Sequence, residues 1–312
     1  MRSLPLVHSG RLSNFLLRQI PAFAGTRLRR AELDPRCSFF VVRRSSFIVS
    51  LINMKISILT ENAPGTATAA EHGLSYLIEH DNKRILFDTG QSDLFIRNAG
   101  IMGIDLKNID IIILSHGHYD HGNGLQYLDG GKLICHPGCF VKRYSSGGTR
   151  YIGLRNTQSE ISGKYDLITS SDPYTISSDI VFLGEIPRIT SFESKKTGFV
   201  LEDGTPDFVM DDSAVALILD EGLFIVTGCG HAGAVNTVEH ARKVTGINKV
   251  YGIMGGFHLK QNDLQTRETI KYLRENEVKH VYPSHCTALP ALAAFHETFG
   301  TKQVKTGEVM VF

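Results

Sequence analysis

No stretch of this 312-residue chain approaches the roughly 18–20 consecutive apolar residues that a membrane-crossing helix requires. Runs such as "IIIL" at 111–114 have only the length of a buried strand, so a membrane partner is not expected. Cysteine is scarce and odd in number. Cys37, Cys135, Cys139, Cys229 and Cys286 show no paired spacing, which argues against a disulfide framework and for buried thiols in a reducing compartment, the cytoplasm by default. There is no GxSxG elbow and no GxxxxGK[ST] loop, and no strand-linked GxGxxG fingerprint is expected, so the serine-hydrolase, P-loop and dinucleotide-binding scaffolds find no support. Lysine is missing from residues 1–53, which carry nine arginines and two acids, whereas residues 54–312 carry 24 basic and 30 acidic side chains, a net −6. That break marks a boundary at Met54. We read 1–53 as an Arg-rich leader, either non-native upstream sequence or a disordered transit-type segment, and 54–312 as one domain. An acidic body without a basic stripe also argues against a nucleic-acid partner.

What the chain does contain is the profile of a globular protein, with 42% hydrophobic and 21% charged residues. From Met54 onward, short β-branched runs alternate with turn signals. Strands are expected at "KISILT", "LSYLIEH", "RILFDTG" and "IDIIILS", then a helix from about Gly122 and a strand at "KLICH". Residues 140–210 are rich in Gly and Ser, with "SSGGTR" and "SSDPYTISSD", and read as an irregular insertion around short strands where substrate loops tend to lie. A second run follows: "AVALILD", "GLFIVTG", a helix over about 232–244, "KVYGIMGG", a helix over "LQTRETIKYLREN", "VKHVYPSH" and a last short helix. Two β-rich halves flanked by helices imply an α/β layered sandwich.

The densest chemistry lies in "SHGHYDHGNG", where His116, His118, Asp120 and His121 occupy six positions directly after an apolar strand. Glycines on either side allow a tight turn. The imidazoles of His116 and His118 can converge on one metal, while Asp120 and His121 can address a second beside it. Zinc accepts this N and O set. Two such ions about 3.5–4 Å apart can share a bridging hydroxide. A polar surface turn would use the same residue types, but four ligands so tightly grouped fit a metal site better.

The stretch "SHGHYDHGNG", with "ILFDTG" before it, resembles the His-x-His-x-Asp-His signature of the metallo-β-lactamase fold superfamily. "FIVTGCGHAGAVN", "GIMGGFHL" and "YPSHCT" resemble its subgroup of metal-dependent hydrolases like dihydropterin-methyl-ribofuranosylaminobenzene phosphate synthase. The resemblance implies a four-layer αβ/βα sandwich with a dinuclear site at the edge between two sheets. It places Cys229 where the superfamily commonly has a metal-bridging aspartate, leaving open whether Cys229 or His231 takes that role. His285 matches the last histidine of the pattern. The usual third-motif histidine has no counterpart, so His258 either fills that vacancy or binds substrate, with Asp211 and Asp212 as the other candidates. Asp88 is expected behind the ligands, orienting a histidine. His72, His80, His136, His240, His280 and His296 are read as structural or exposed. The implied enzyme is a metal-dependent hydrolase carrying two divalent ions, zinc first and manganese or iron as alternatives. A metal-bound hydroxide, oriented by Asp120, would act on a small phosphorylated, pterin-like or ester substrate. A non-catalytic metal-containing small-molecule binder and an iron-dependent oxidoreductase are the alternatives, the latter weakened because a diiron pattern would prefer Glu at position 118. Substrate and oligomeric state stay open.

Overall fold

Alternation along the strands dictates the layers. In Met54–Thr60 the side chains of Ile56 and Ile58 fall on one face, and in Lys83–Phe87 those of Ile85 and Phe87 do the same while Leu86 points the other way. Both faces are apolar, so both must be covered. The structure, a computed structural model, describes residues 54–145 and 147–312; the reading of 1–53 as a leader lies outside the described residues. Its strands are β1 Met54–Thr60, β2 Ser75–His80, β3 Lys83–Phe87, β4 Ile111–Ile113, β5 Gly131–Cys135, β6 Arg143–Ser145, β7 Tyr165–Thr169, β8 Tyr174–Ser177, β9 Ile180–Phe182, β10 Phe199–Leu201, β11 Ala214–Leu219, β12 Gly222–Thr227, β13 Val250–Gly256, β14 His280–Ser284 and β15 Val309–Val311. The helices are α1 Leu94–Ile101, α2 Tyr119–Gly122, α3 Gln158–Ser162, α4 Ala234–Thr245, α5 Leu264–Glu275 and α6 Leu289–Phe299.

A seven-stranded sheet in the order β15-β1-β2-β3-β4-β5-β7 faces a six-stranded sheet in the order β14-β13-β12-β11-β9-β8. Between them Ile56, Tyr76, Phe87 and Ile113 pack with Phe182, Val215, Phe224 and Met254. Outside the first sheet, Leu77, Leu86 and Ile112 meet Phe95 and Ala99 of α1. Outside the second, Ala216, Ile225 and Ile253 meet Val238 of α4, Leu273 of α5 and Phe295 of α6. These three cores make the four-layer sandwich of the metallo-β-lactamase type that the motifs imply.

Several boundaries differ from expectation, each for a local reason. The strand anticipated over 109–115 stops at Ile113, because the Ser115 N–H turns aside to donate to Asp88 Oδ1 at 2.7 Å. The helix anticipated from Gly122 begins at Tyr119 and passes into a 3₁₀ turn over Asn123–Tyr127. Gly124 there lies against Thr89, whose carbonyl oxygen would be 2.0 Å from an added Cβ, so the chain bends to follow that contact. β15, which was not anticipated, adds to the edge of β1 through the pairs Lys55 with Val311 and Ser57 with Val309. In the middle region, β6 and β10 form a small two-stranded sheet of their own. Among the described residues no helix is long and apolar enough to cross a membrane, and Cys135, Cys139, Cys229 and Cys286 are buried free thiols.

Topology positions the site. β3 and β4 are parallel in one sheet, and β12, β13 and β14 are parallel in the other. Their C-terminal ends lead directly into Asp88, His116, Cys229, His258 and His285. Crevices at such ends are where α/β sheets habitually bind ligands.

Candidate metal centre

Asp88 is wholly buried, and a lone buried carboxylate is costly unless donors surround it. Ser115 supplies two, its N–H to Oδ1 and its Oγ–H to Oδ2, each at 2.7 Å. The third is His121 Nδ1, 2.7 Å from Oδ2. A carboxylate only accepts, so the proton of His121 sits on Nδ1 and its Nε2 carries a bare lone pair. The Ser115 hydroxyl proton is already engaged by Asp88, so Oγ accepts from His116 Nδ1 at 3.0 Å, and His116 Nε2 is likewise bare.

These lone pairs point at other ligand atoms. His121 Nε2 lies 3.1 Å from His285 Nε2, 3.3 Å from Cys229 Sγ and 3.8 Å from Asp120 Oδ2. His285 Nδ1 faces the Oδ1 acceptor of Asn62 at 3.1 Å, so it too presents an unprotonated Nε2. Two bare imidazole nitrogens at 3.1 Å repel, and a cation between them turns the repulsion into two bonds. His116 Nε2 and His118 Nδ1 face each other at 2.9 Å. His118 Nε2 and His231 Nε2 are buried with no hydrogen-bond partner among the described residues. Among the described residues three groups of ligand atoms each converge within 4.8 Å: His116, Cys229 and His231; His121, Cys229 and His285; His72, Asp120 and His285. The donor set of imidazole, carboxylate and thiol therefore fits divalent metal ions, zinc among them, and Cys229 belongs to both of the first two groups.

Electrostatics agree with that use. Burial, with the neighbouring rings of His121, His118 and His231, pushes His116 well below the ordinary imidazole range. Burial and the Arg143 guanidinium bring His118 down to about 3, and burial with His258 lowers His231. Such rings are neutral at neutral pH, as ligation requires. Burial opposes charge on His121, but the carboxylates of Asp88 and Asp120 outweigh it and raise its pKa. Asp120 is held well below the carboxylate range, since the interactions with His121, His285 and His72 override its burial.

Backbone strain clusters here as well. Asp88, His258 and His285 adopt left-handed φ values of 56°, 50° and 49°, conformations that cost non-glycine residues energy and that persist at functional sites when packing over-determines them. Gly228 permits a close approach of the Cys229 turn to Ser115 and Asp88. A Cβ there would lie 2.0 Å from Ser115 Oγ and 3.0 Å from Asp88 Oδ2.

Not every candidate joins the convergent groups. Asp211 does not: its carboxylate accepts from Gly117 N at 2.7 Å and pairs with the buried Arg143 at 2.8 Å, fixing the His116–His118 turn from behind. Asp212 accepts from Ala232 N at 2.9 Å and steadies the turn that carries His231. Neither belongs to a convergent ligand group among the described residues. His118 also stands outside the three groups, facing His116, and so does His258, which lies beside His231 with ring centroids 4.4 Å apart. With His231, Phe199, Lys195 and Lys196 it lines a cavity of about 430 Å³. His72 corrects the sequence reading: its side chain is half exposed, yet Nε2 lies 3.1 Å from Asp120 Oδ2. His240 and His296, in contrast, bond to the carbonyls of Leu183 and Thr301 away from the site. Gly228, Gly230 and Gly233 have G-x-G-x-x-G spacing between β12 and α4, which corrects the expectation that no strand-linked pattern of this kind is present. β13 ends in Gly255–Gly256 and offers no acid for a ribose, so the turn serves the cluster and not a dinucleotide.

The comparisons with known proteins follow the same line. The family model described as "Metallo-beta-lactamase superfamily" matches residues 69–134. An uncharacterized protein of Methanocaldococcus jannaschii is 36% identical over 246 residues, 76% of this chain and 92% of that protein. The 7,8-dihydropterin-6-methyl-4-(β-D-ribofuranosyl)-aminobenzene-5'-phosphate synthase of the same organism is 34% identical over 287 residues, 83% of this chain and 97% of that protein. Among solved structures, a metal-dependent hydrolase of the β-lactamase superfamily is similar with a TM-score of 0.74 and 29% identity, covering 83% of this chain and 98% of that one. A diphosphatase from the PhnP family, at TM-score 0.50 and 13% identity, shares the fold.

Proposed function

This chain belongs to the metallo-β-lactamase superfamily, and from that premise we propose that it is a metal-dependent hydrolase of a small phosphorylated, pterin-like or ester substrate, with two divalent ions, zinc foremost. Members of the superfamily are typically metal-dependent hydrolases. The observation that carries the reading is the position of Cys229, whose thiol belongs to two convergent ligand groups at once. We assign His116, His118 and His231 to one ion, Asp120, His121 and His285 to the other, and Cys229 between them. Divalent ions bound there supply Lewis acidity and a hydrolytic nucleophile at neutral pH.

The protein's own residues do the rest. Asp88 and Asn62 keep His121 and His285 in the ligating tautomer. Asp120 orients the attacking water and takes up its proton. The cavity beside His231 receives the substrate, with Phe199 offering an apolar face and Lys195 and Lys196 offering positive charge to an anionic group. The substrate classes come from the pterin and phosphate in the name of the 34%-identical relative and from the cation and aromatic side chains of this cavity.

Elemental analysis of protein purified without added metal, run beside a turnover screen of phosphoesters, lactones and pterin derivatives, tests the reading. About two ions per chain with turnover of one class is the expected result. Metal without turnover on any class would favour a non-catalytic binder, and a single unperturbed ion would remove the two-metal reading.

A further inference from the structure

The loop from Glu61 to Leu74, between β1 and β2, carries none of the family motifs, yet it grips the site more firmly than a surface loop needs to. The buried Glu61 carboxylate accepts from the backbone N–H of His285 at 3.1 Å and from Asn62 N at 2.9 Å. The carbonyl of His72 accepts from Gln91 Nε2 at 2.9 Å, and the neighbouring Glu71 carboxylate takes Ser92 Oγ at 2.6 Å. A side chain that is 52% exposed is thus mounted on a clamped backbone. Its ring stacks on that of His285, centroids 5.1 Å apart and planes 19° from parallel.

The amide of Asn62 lies against both rings, and its orientation is fixed independently of them. Oδ1 accepts from Gly73 N at 3.2 Å and Nδ2 donates to His285 O at 2.9 Å, so a flip would set donor against donor and acceptor against acceptor. Oδ1 is also 3.1 Å from His285 Nδ1, and Nδ2 is 3.3 Å from His72 Nδ1. An acceptor oxygen requires a proton on His285 Nδ1, and a donor nitrogen requires a lone pair on His72 Nδ1. His72 therefore carries its proton on Nε2, which lies 3.1 Å from Asp120 Oδ2.

We infer that Asn62 is a positioning residue that sets two stacked histidines to opposite tautomers, His285 with Nε2 bare toward the metal position and His72 with Nε2–H donating to Asp120. His72 converges with Asp120 and His285 within 4.8 Å, but in this state it is the partner of a ligand and not a ligand itself. Its N–H holds Oδ2 of Asp120 against rotation. That consequence for catalysis rests on the proposed hydrolase reading; the tautomers do not.

The test is long-range ¹H–¹⁵N correlation NMR on the zinc-titrated full chain with ¹⁵N-labelled histidine, the His72 signals being assigned by their loss in His72→Gln. The parent is expected to show His285 protonated at Nδ1 and His72 at Nε2. Asn62→Asp, which offers an acceptor to both rings, is expected to switch His72 alone to the Nδ1–H form. His72 protonated at Nδ1 in the parent would overturn the inference, as would an unchanged His72 in Asn62→Asp. Affinity for the second equivalent of zinc, read by chelator competition, gives a measure that does not need Asn62→Asp to fold. His72→Gln, which keeps an N–H for Asp120, is expected within about 3-fold of the parent, and His72→Phe, which keeps only the stacked ring, about 10–100-fold weaker. Equal affinities in the two variants would overturn the inference. A parent with the stated tautomers but no bound divalent ion would overturn the hydrolase reading and leave the inference supported.

Discussion

On one side of Cys229 stand His116, His118 and His231, three rings packed edge to face at 4.6–5.0 Å and lowered in pKa by burial. On the other stand Asp120, His121 and His285, where carboxylates raise His121 and surrounding histidines hold Asp120 ionised. The first half is uncharged, and its orphaned ring nitrogens gain most from a cation. The second half brings its own negative charge, backed by Asp88 and Asn62, and is already partly satisfied by hydrogen bonds. One fold thus prepares two positions for the same kind of ion by different means: deprivation in one, supporting acceptors in the other.

Substituting the shared atom is the way to break the comparison outright. Cys229→Ala is expected to lose metal from both halves, falling below one ion per chain by elemental analysis, with turnover abolished; Cys229→Asp restores an anionic bridge and part of both. Two ions retained in Cys229→Ala would show that the halves are independent. Asp88→Ala sharpens the contrast by striking the two halves unequally, His121 directly and His116 only through Ser115. It leaves Ser115 N, Ser115 Oγ and His121 Nδ1 without their acceptor, a cost of about 3 kcal/mol or more. The melting temperature is expected to fall by roughly 6–12 °C, and calorimetry checks it. Metal analysis of the same variant is expected to show a larger loss from the Asp120, His121 and His285 half than from the other.

A smaller effect lies at the start of α4, next to the turn that carries His231. Glu193 caps the start of α4 by accepting from Val235 N and Asn236 N, and burial pushes its carboxyl up to about 7. Because the folded value lies above the unfolded one, the native state favours the proton. Its contribution is present below about pH 4.5 and is lost as pH rises through about 7. Denaturant titrations at pH 5 and pH 8 should show the parent losing up to about 3 kcal/mol more than Glu193→Gln across that window. An equal loss in both proteins would place the cause elsewhere. Least of all, Lys195→Ala and Lys196→Ala, both exposed, are expected to change stability by less than about 0.5 kcal/mol. They should raise KM for anionic substrates a few-fold without altering kcat, and an unchanged KM would separate the lysines from substrate binding.

Much of this architecture is legible in the chain. The apolar alternation that makes β1 to β4 and β11 to β13 is strong, and His116, His118, Asp120 and His121 announce themselves by density. Cys229, His231 and His285 follow once a strand is seen to end just before each. What the residues do not announce is contact made at long range. Asn62 and His72 sit in a loop of Ala, Gly and Thr with no period, and their meaning appears only when β14 brings a residue 223 positions away against them. Arg143 reads as a surface cation, yet it is buried behind the His116–His118 turn between Asp207 and Asp211. The left-handed backbone of Asp88, His258 and His285 likewise has no signature in residue type. The helix anticipated from Gly122 was misplaced because the closeness of Thr89 to Gly124, not propensity, decides where that segment bends.

Gly228 bears on more than the packing it allows. Its missing side chain lets the turn after β12 rest directly on the Ser115–Asp88 pair, so the span between the Cys229 turn and the histidine turn leaves no room for a Cβ. A methyl group placed there acts as a shim. Gly228→Ala would drive the Cys229 turn away from the histidine turn while leaving every ligand in the chain, converting a question of which residues bind into one of how far apart they are held.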